Sequence, residues 1–136
     1  MAIKVLDSWA LIAFFENEPA AEQVEVLLAK AESGTHKLLL SVVNWGEIYH
    51  STMRENSQEV AERTVKEIAG LAIEIVGVDG TNLDYVRQAA IYKATRKLSY
   101  ADAFAAALAK MRNADLVTGD REFRQVEDEI DISWLR

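Results

Sequence analysis

The sequence contains no cysteine, a single proline, 6 glycines and only 2 histidines, His36 and His50. Without cysteine there is no disulfide, no thiol nucleophile, no iron–sulfur ligation and no thiolate zinc site, which is consistent with a reducing compartment. Two histidines also exclude an all-histidine metal centre. The scarcity of proline and glycine beside an apolar fraction of 50% argues against disorder and repeat architectures and for a compact globular domain. Positive charge is in short supply as well: 15 basic against 22 acidic residues leave a formal charge of -7. Such a chain does not look like a protein that coats duplex nucleic acid, so any nucleic-acid site must be local or carried by metal ions. No apolar run approaches the length of a membrane span, and Asp7 comes too early for a secretory hydrophobic region. A soluble cytoplasmic protein is expected, with no membrane contact. The length of 136 residues suits one domain, residues 1–136.

The pattern along the chain alternates short apolar runs with helical spacing. Strands are expected at 3–6, within 37–42 around Leu38-Leu39-Leu40, at 73–76, at 116–117, and at 130–134 on an edge. A short helix should begin near Ser8, and a second should follow Glu18-Pro19 with proline in its first turn. Val24, Leu27, Leu28 and Ala31 give that helix one apolar face, and Gly34 suits its end. Further helical stretches are expected over about 43–53, 57–70 and 83–95, and an alanine-rich one over 99–111. Strands separated by helices of at least ten residues imply crossovers and a parallel sheet covered on both sides, a small three-layer α/β sandwich. In such folds the active site lies outside the carboxyl ends of the strands.

That rule singles out four acids: Asp7 after the first strand, Glu47 in the helix after the second, Asp102 near the start of the alanine helix, and Asp120 after the fourth strand. Their neighbours are mostly apolar or small, and an unpaired acid beside a packed face is costly. Carboxylates gathered together either raise a pKa or recruit a cation. With no suitable histidine or cysteine, the cation is a hard one with oxygen ligands, Mg²⁺ or Mn²⁺ rather than Zn²⁺. Thr118 and Ser8 could orient a carboxylate or a bound water from behind. Each acid also has a local explanation. Asp7-Ser8 could cap a helix, Ser99 to Asp102 has nearly the spacing of a capping box, Glu47 could be solvated, and Gly119-Asp120 could be an ordinary turn. Asp115 should sit at the opposite end of its strand and is left to a structural role. Trp9, Phe14, Phe15 and Phe104 read as core or interface packing. His50 reads as a helix-surface residue and His36 as a loop residue.

The segments Val5-Leu6-Asp7-Ser8, Ser41-Val42-Val43-Asn44-Trp45-Gly46-Glu47, Leu98-Ser99-Tyr100-Ala101-Asp102-Ala103-Phe104 and Leu116-Val117-Thr118-Gly119-Asp120-Arg121 together resemble the PIN-domain superfamily, and within it the VapC-type toxins of toxin–antitoxin pairs. The resemblance implies a five-stranded parallel sheet ordered 3-2-1-4-5 and Mg²⁺- or Mn²⁺-dependent endoribonuclease activity. It also implies a homodimer and a small cognate antitoxin, one basic side chain of which would reach the acidic pocket. Asp7, Glu47, Asp102 and Asp120 would carry the family's metal-binding acids, with Thr118 as the associated catalytic hydroxyl. Asp7 and Asp102 would be the principal ligands, and the number of ions stays open. Substrate contacts fall to Ser8, Arg96, Lys97 and Arg121, because Arg87, Lys93, Arg96 and Lys97 form a stretch without acids and Arg121 follows Asp120. Two other readings stand beside this one. The first is a PIN-domain nuclease acting on DNA or in RNA processing, and the second is a non-catalytic nucleic-acid binding module whose acids hold a structural ion.

Overall fold

A computed structural model describes residues 1–136. The chain runs β1 (Ala2–Leu6), α1 (Ser8–Phe15), α2 (Ala21–Glu32), β2 (His36–Ser41), α3 (Val42–Glu55), α4 (Gln58–Ala69), β3 (Ile73–Val76), α5 (Leu83–Arg96), α6 (Tyr100–Arg112), β4 (Asp115–Thr118), a 3-10 helix (Arg121–Val126) and β5 (Ile132–Trp134). All strand pairs are parallel and the sheet order is β3-β2-β1-β4-β5. The expected α/β architecture and strand order are therefore those observed.

Alternation along the central strands sorts their side chains between two layers. Val5, Leu39 and Leu116 join the core formed with α5 and α6, where Ala103, Ala105, Ala106, Ala107 and Ala109 are all buried and let α6 lie close on the sheet. Leu6, Leu38, Leu40 and Val117 join the opposite core, with Leu11 of α1, Val24 and Leu28 of α2, Ile48 of α3 and Ile68 of α4. The two cores press on both faces of one sheet, so a displaced central strand would disturb both.

Local chemistry sets most helix ends. Ser57 Oγ accepts the Val60 N–H at 3.2 Å and Ser41 Oγ accepts the Val43 N–H at 3.3 Å. Gly34 has φ +82, and the Gly34 and Thr35 N–H groups close onto Ala31 and Lys30 carbonyls at 3.1 and 2.9 Å, the glycine-terminated helix end expected at that position. Three details differ from the pattern read in the sequence. Pro19 stands ahead of α2 rather than in its first turn, because a turn closed by Ala21 N–H to Glu18 O at 2.9 Å comes first. His36 begins β2, paired with Ala2, instead of lying in a loop. Strand β5 is shorter than 130–134, since the Ile130 N–H is bonded back to Val126 O at 3.1 Å. The 3-10 helix over Arg121–Val126 has no counterpart in the sequence reading.

Candidate active site

Asp7 emerges from the carboxyl end of β1, where the chain stops pairing and turns into α1. Its Oδ1 accepts the Ala10 N–H at 2.9 Å, so the helix-cap explanation is true of this oxygen. Oδ2 is engaged differently: it accepts the Thr118 hydroxyl at 2.5 Å, from the end of the neighbouring β4. Thr118 Oγ1 in turn accepts the Asp120 N–H at 3.0 Å. One hydroxyl thereby fixes the orientation of one acid and the backbone of another. Asp7 is only 1% exposed, and burial pushes its carboxyl up to about 8. That value already includes the lowering by the Thr118 and Ala10 hydrogen bonds and the smaller rise from Asp102 and Asp120.

Asp102 sits in the first turn of α6, whose amino end lies at the carboxyl edge of the sheet because α6 leads into parallel β4. Ser99 Oγ accepts the Asp102 N–H at 3.2 Å, which is one half of a capping box. No backbone N–H returns to the Asp102 carboxylate, so the cap leaves that carboxylate free. Its pKa is raised to about 7, chiefly by burial and then by Asp120, Glu47 and Glu122, against a lowering by the Ser99 hydroxyl. Asp120 caps the 3-10 helix through the Glu122 N–H at 3.0 Å. Glu47 is half-buried on α3. The structure thus brings all four acids to one edge, where each feels at least one of the others. The protein has eight ion pairs, and none of them includes Asp7, Glu47, Asp102 or Asp120.

Asn44 is the residue that sequence reasoning passed over. It is fully buried, and its Nδ2 donates to Ser8 Oγ at 3.0 Å and to Ala101 O at 3.1 Å. Those bonds tie together the beginnings of α1, α3 and α6, the helices on which Asp7, Glu47 and Asp102 depend. Its Oδ1 is buried without a protein partner. A polar residue three positions before Glu47, on the side of α3 that also presents Ile48, was the available signal. Ser8 is buried too, and its hydroxyl is taken by Asn44, so it holds the helix and does not face a substrate.

The expected basic rim divides in two. Arg96 is committed to Gln125 O at 2.9 Å, to Asp128 at 2.6 Å and to Glu129, and it is removed from the free rim by that network. Lys97 and Arg121 are exposed and make no ion pair, and the Arg121 guanidinium lies 5.2 Å from the Trp134 ring centre. Lys93 similarly lies 5.3 Å over the ring of Tyr100, which is 48% exposed. Trp9 is also open, at 38%, so of core and interface packing it is the core that the structure excludes. Phe104, by contrast, is buried against Tyr85.

The PIN-domain family profile matches residues 4–129. The chain belongs to the PIN-domain family, a family of nucleases. No curated protein matches the sequence. Among solved structures, this PIN domain is similar to VapBC2 of Rickettsia felis bound to a fragment of its promoter DNA, at TM-score 0.74 and 17% identity over 98% of this chain and 99% of that one. It is similar to VapBC-1 of nontypeable Haemophilus influenzae at TM-score 0.71 and 20% identity, over 97% of each chain. It is also similar to VapC20 of Mycobacterium tuberculosis, a toxin that cleaves the sarcin–ricin loop, at TM-score 0.68 and 16% identity over 89% of this chain and 92% of that one.

PIN nucleases generally use divalent metal ions, and the donors of this PIN domain suit one chemically. They are all carboxylates, they lack a basic partner, and burial holds two of them far above the ordinary carboxylate range. As placed, no three acidic or histidine side chains form a group that could hold an ion. Magnesium keeps several waters and takes only one or two protein carboxylates, so the donor set fits that mode of binding and not a closed cage. No helix is long and apolar enough to cross a membrane.

Proposed function

We propose that residues 1–136 act as a single PIN-like nuclease domain, a Mg²⁺- or Mn²⁺-dependent endoribonuclease that serves as the toxin of a toxin–antitoxin pair. The observation that carries the catalytic part is the gathering of Asp7, Glu47, Asp102 and Asp120 at the carboxyl edge of the sheet with no cation paired to any of them. Once ionised, these carboxylates repel an RNA phosphate unless positive charge is brought with it. RNA, and not DNA, is favoured by the likeness to the toxin that cleaves the sarcin–ricin loop.

In this reading Asp7 and Asp102 are the principal metal-holding groups, and Asp120 and Glu47 complete the site. A divalent ion there would neutralise the phosphate, lower the pKa of an attacking water and stabilise the departing oxygen. The chain supplies the orientation. Thr118 fixes the Oδ2 of Asp7 and the backbone of Asp120 at once. Asn44 holds Ser8 and Ala101, and through them the spacing between α1 and α6. Lys97 and Arg121 give the RNA backbone cations on the rim that no carboxylate occupies.

The partner of the toxin is a small antitoxin, and the active unit is a homodimer. Support comes from the VapBC likenesses and from apolar side chains left exposed, among them Leu83, Ile91 and Met111. Light scattering should give about twice 15.2 kDa, and a monomeric mass at micromolar concentration defeats the dimer. The deciding experiment for the activity incubates the purified chain with RNA and with DNA, with Mg²⁺, with Mn²⁺ and after chelation, beside Asp102→Asn. Metal-dependent loss of RNA alone supports the proposal. Loss of DNA moves the protein to a different nuclease role, and no loss of either leaves a binding module.

A further inference from the structure

The chain segments 7–9 and 118–120 face each other where β1 meets β4, and they touch at more than the Asp7–Thr118 hydrogen bond. The six-membered ring of the Trp9 indole lies against the Gly119 backbone so closely that a Cβ on Gly119 would stand 2.3, 2.5 and 2.6 Å from the ring carbons Cη2, Cζ3 and Cζ2. Position 119 therefore accommodates only hydrogen while the ring stays where it is. Close seating of this kind normally goes with burial, yet Trp9 keeps 38% of its surface open. The ring contacts backbone on one side and is partly open, two residues from Asp7 and, through Gly119, one residue from Asp120. Ile12, Ala13 and Glu18 complete a depression of 220 Å³ beside it. The indole thus offers a partly open apolar surface beside the carboxylates of this edge.

We propose that Trp9 is the stacking platform for an unpaired base next to the scissile phosphate. This rests on the nuclease reading above and goes beyond it by naming a substrate-contacting residue. The physical need is specific to this site. A chain of net charge -7 with its acids gathered at the point of cleavage gains little from phosphate attraction there beyond what bound ions supply. Stacking on an aromatic ring does not depend on charge and holds any base by its face. A base inside a duplex is already stacked on its neighbours, so only an unpaired one is available to the ring. Contact with Gly119, one residue from Asp120, would set that base and the phosphate attached to it beside the acids.

The test is a binding cycle on short single-stranded RNA carrying one abasic nucleotide at successive positions, measured at equilibrium with the Asp102→Asn chain so that nothing is cut. One abasic position should weaken binding by about 10-fold, the size of one lost stacking contact. Trp9→Leu should weaken binding to the intact RNA by a similar factor, and the abasic substitution should then cost nothing more. Trp9→Tyr should restore most of the loss, while a thermal melt of each variant verifies folding. Gly119→Ala, which drives the ring from its seat, should reproduce the loss with the indole still present. Additive losses from the abasic site and Trp9→Leu would overturn the proposal, as would unaltered binding by Trp9→Leu or no binding of any single-stranded RNA. A role only as a roof over Asp7 would show instead as a shifted pH profile of cleavage with the abasic penalty intact. Absence of cleavage by the unmodified chain, with the binding cycle as expected, would remove the nuclease reading and leave the platform standing.

Discussion

At the amino end of the sheet, Lys4 on β1 is in register with Asp115 on β4, and its Nζ lies 3.1 Å from Asp115 Oδ2, with Ser133 of β5 in reach of both at 3.4 Å. At the carboxyl end of the same two strands, Asp7 and Asp120 share a threonine hydroxyl and have no basic partner. Both ends hold acids close to the sheet. The amino end neutralises its acid within the fold, as does the segment leading into β5, where Arg96 and Lys110 meet Asp128 and Glu129. The carboxyl end leaves its acids to repel one another and buries one of them almost completely. A fold selected only for stability has no use for the second arrangement, since an unpaired buried acid must either give up its charge or carry it at a cost far above what a surface ion pair returns. The difference marks where a cation from outside is expected.

The comparison breaks most visibly through activity. Asp102→Asn should lower RNA cleavage by at least about 100-fold, in the range of losing a group that organises charge at the reacting phosphate, while the metal-free melting temperature stays level or rises because one repelling charge is gone. Single-turnover cleavage and a thermal melt on the same preparation check both. A large drop in metal-free stability would mean that Asp102 serves the helix cap.

Thr118→Val should be less severe, on the order of a 10-fold loss in cleavage, since the acids remain but Asp7 and the Asp120 backbone lose their common tether. Stability should fall by about 1 to 3 kcal/mol for the orphaned Asp120 N–H and Asp7 oxygen. The Asp7 carboxyl, without the hydrogen bond that lowers it, should titrate higher still. A pH profile of cleavage with its acidic limb shifted upward is the measurement that separates this from a plain loss of packing.

The metal-free protein should lose stability as pH rises. Asp7 titrates at about 8 and Asp102 at about 7 in the folded chain, against about 3.9 when unfolded, so between these limits the folded state holds protons that the unfolded state has released. Their stabilisation is complete below about pH 4 and fades as pH rises toward 8. Melting temperatures after chelation should therefore be higher at pH 5 than at pH 8. Added Mg²⁺ should offset the loss at pH 8, by about 2.7 kcal/mol at 100 times its Kd. A metal-free melting temperature that rises from pH 5 to pH 8 would contradict the electrostatics of this edge.

The smallest effect belongs to the neutralised end. Lys4→Met should cost about 1 kcal/mol by leaving Asp115 half-buried without its cation, seen in a denaturant midpoint, with cleavage unaltered. A loss of cleavage there would show that the two ends are coupled through the sheet.

The elements themselves were legible because their signals are local. Alternation of Leu38, Leu39 and Leu40 between two layers, the alanine run of α6, the serine caps and Gly34 after α2 all act over a few residues, and the strand-end rule pointed to the four acids. The same local reasoning could not choose at Trp9 between core and interface, where the ring lies partly open on Gly119, and it failed at Arg96, where a basic stretch suggested a rim and acids 32 and 33 residues later claim the side chain. Asn44 was missed for a related cause, since its partners belong to two other helices. Spacing along the chain determined which face each residue presents and which end of a strand it follows. Only the tertiary structure decided which charges find partners and which do not, because burial and Coulomb interaction are summed through space. The bond from Thr118 to Asp7 joins residues 111 positions apart, and no local pattern carries information over that separation.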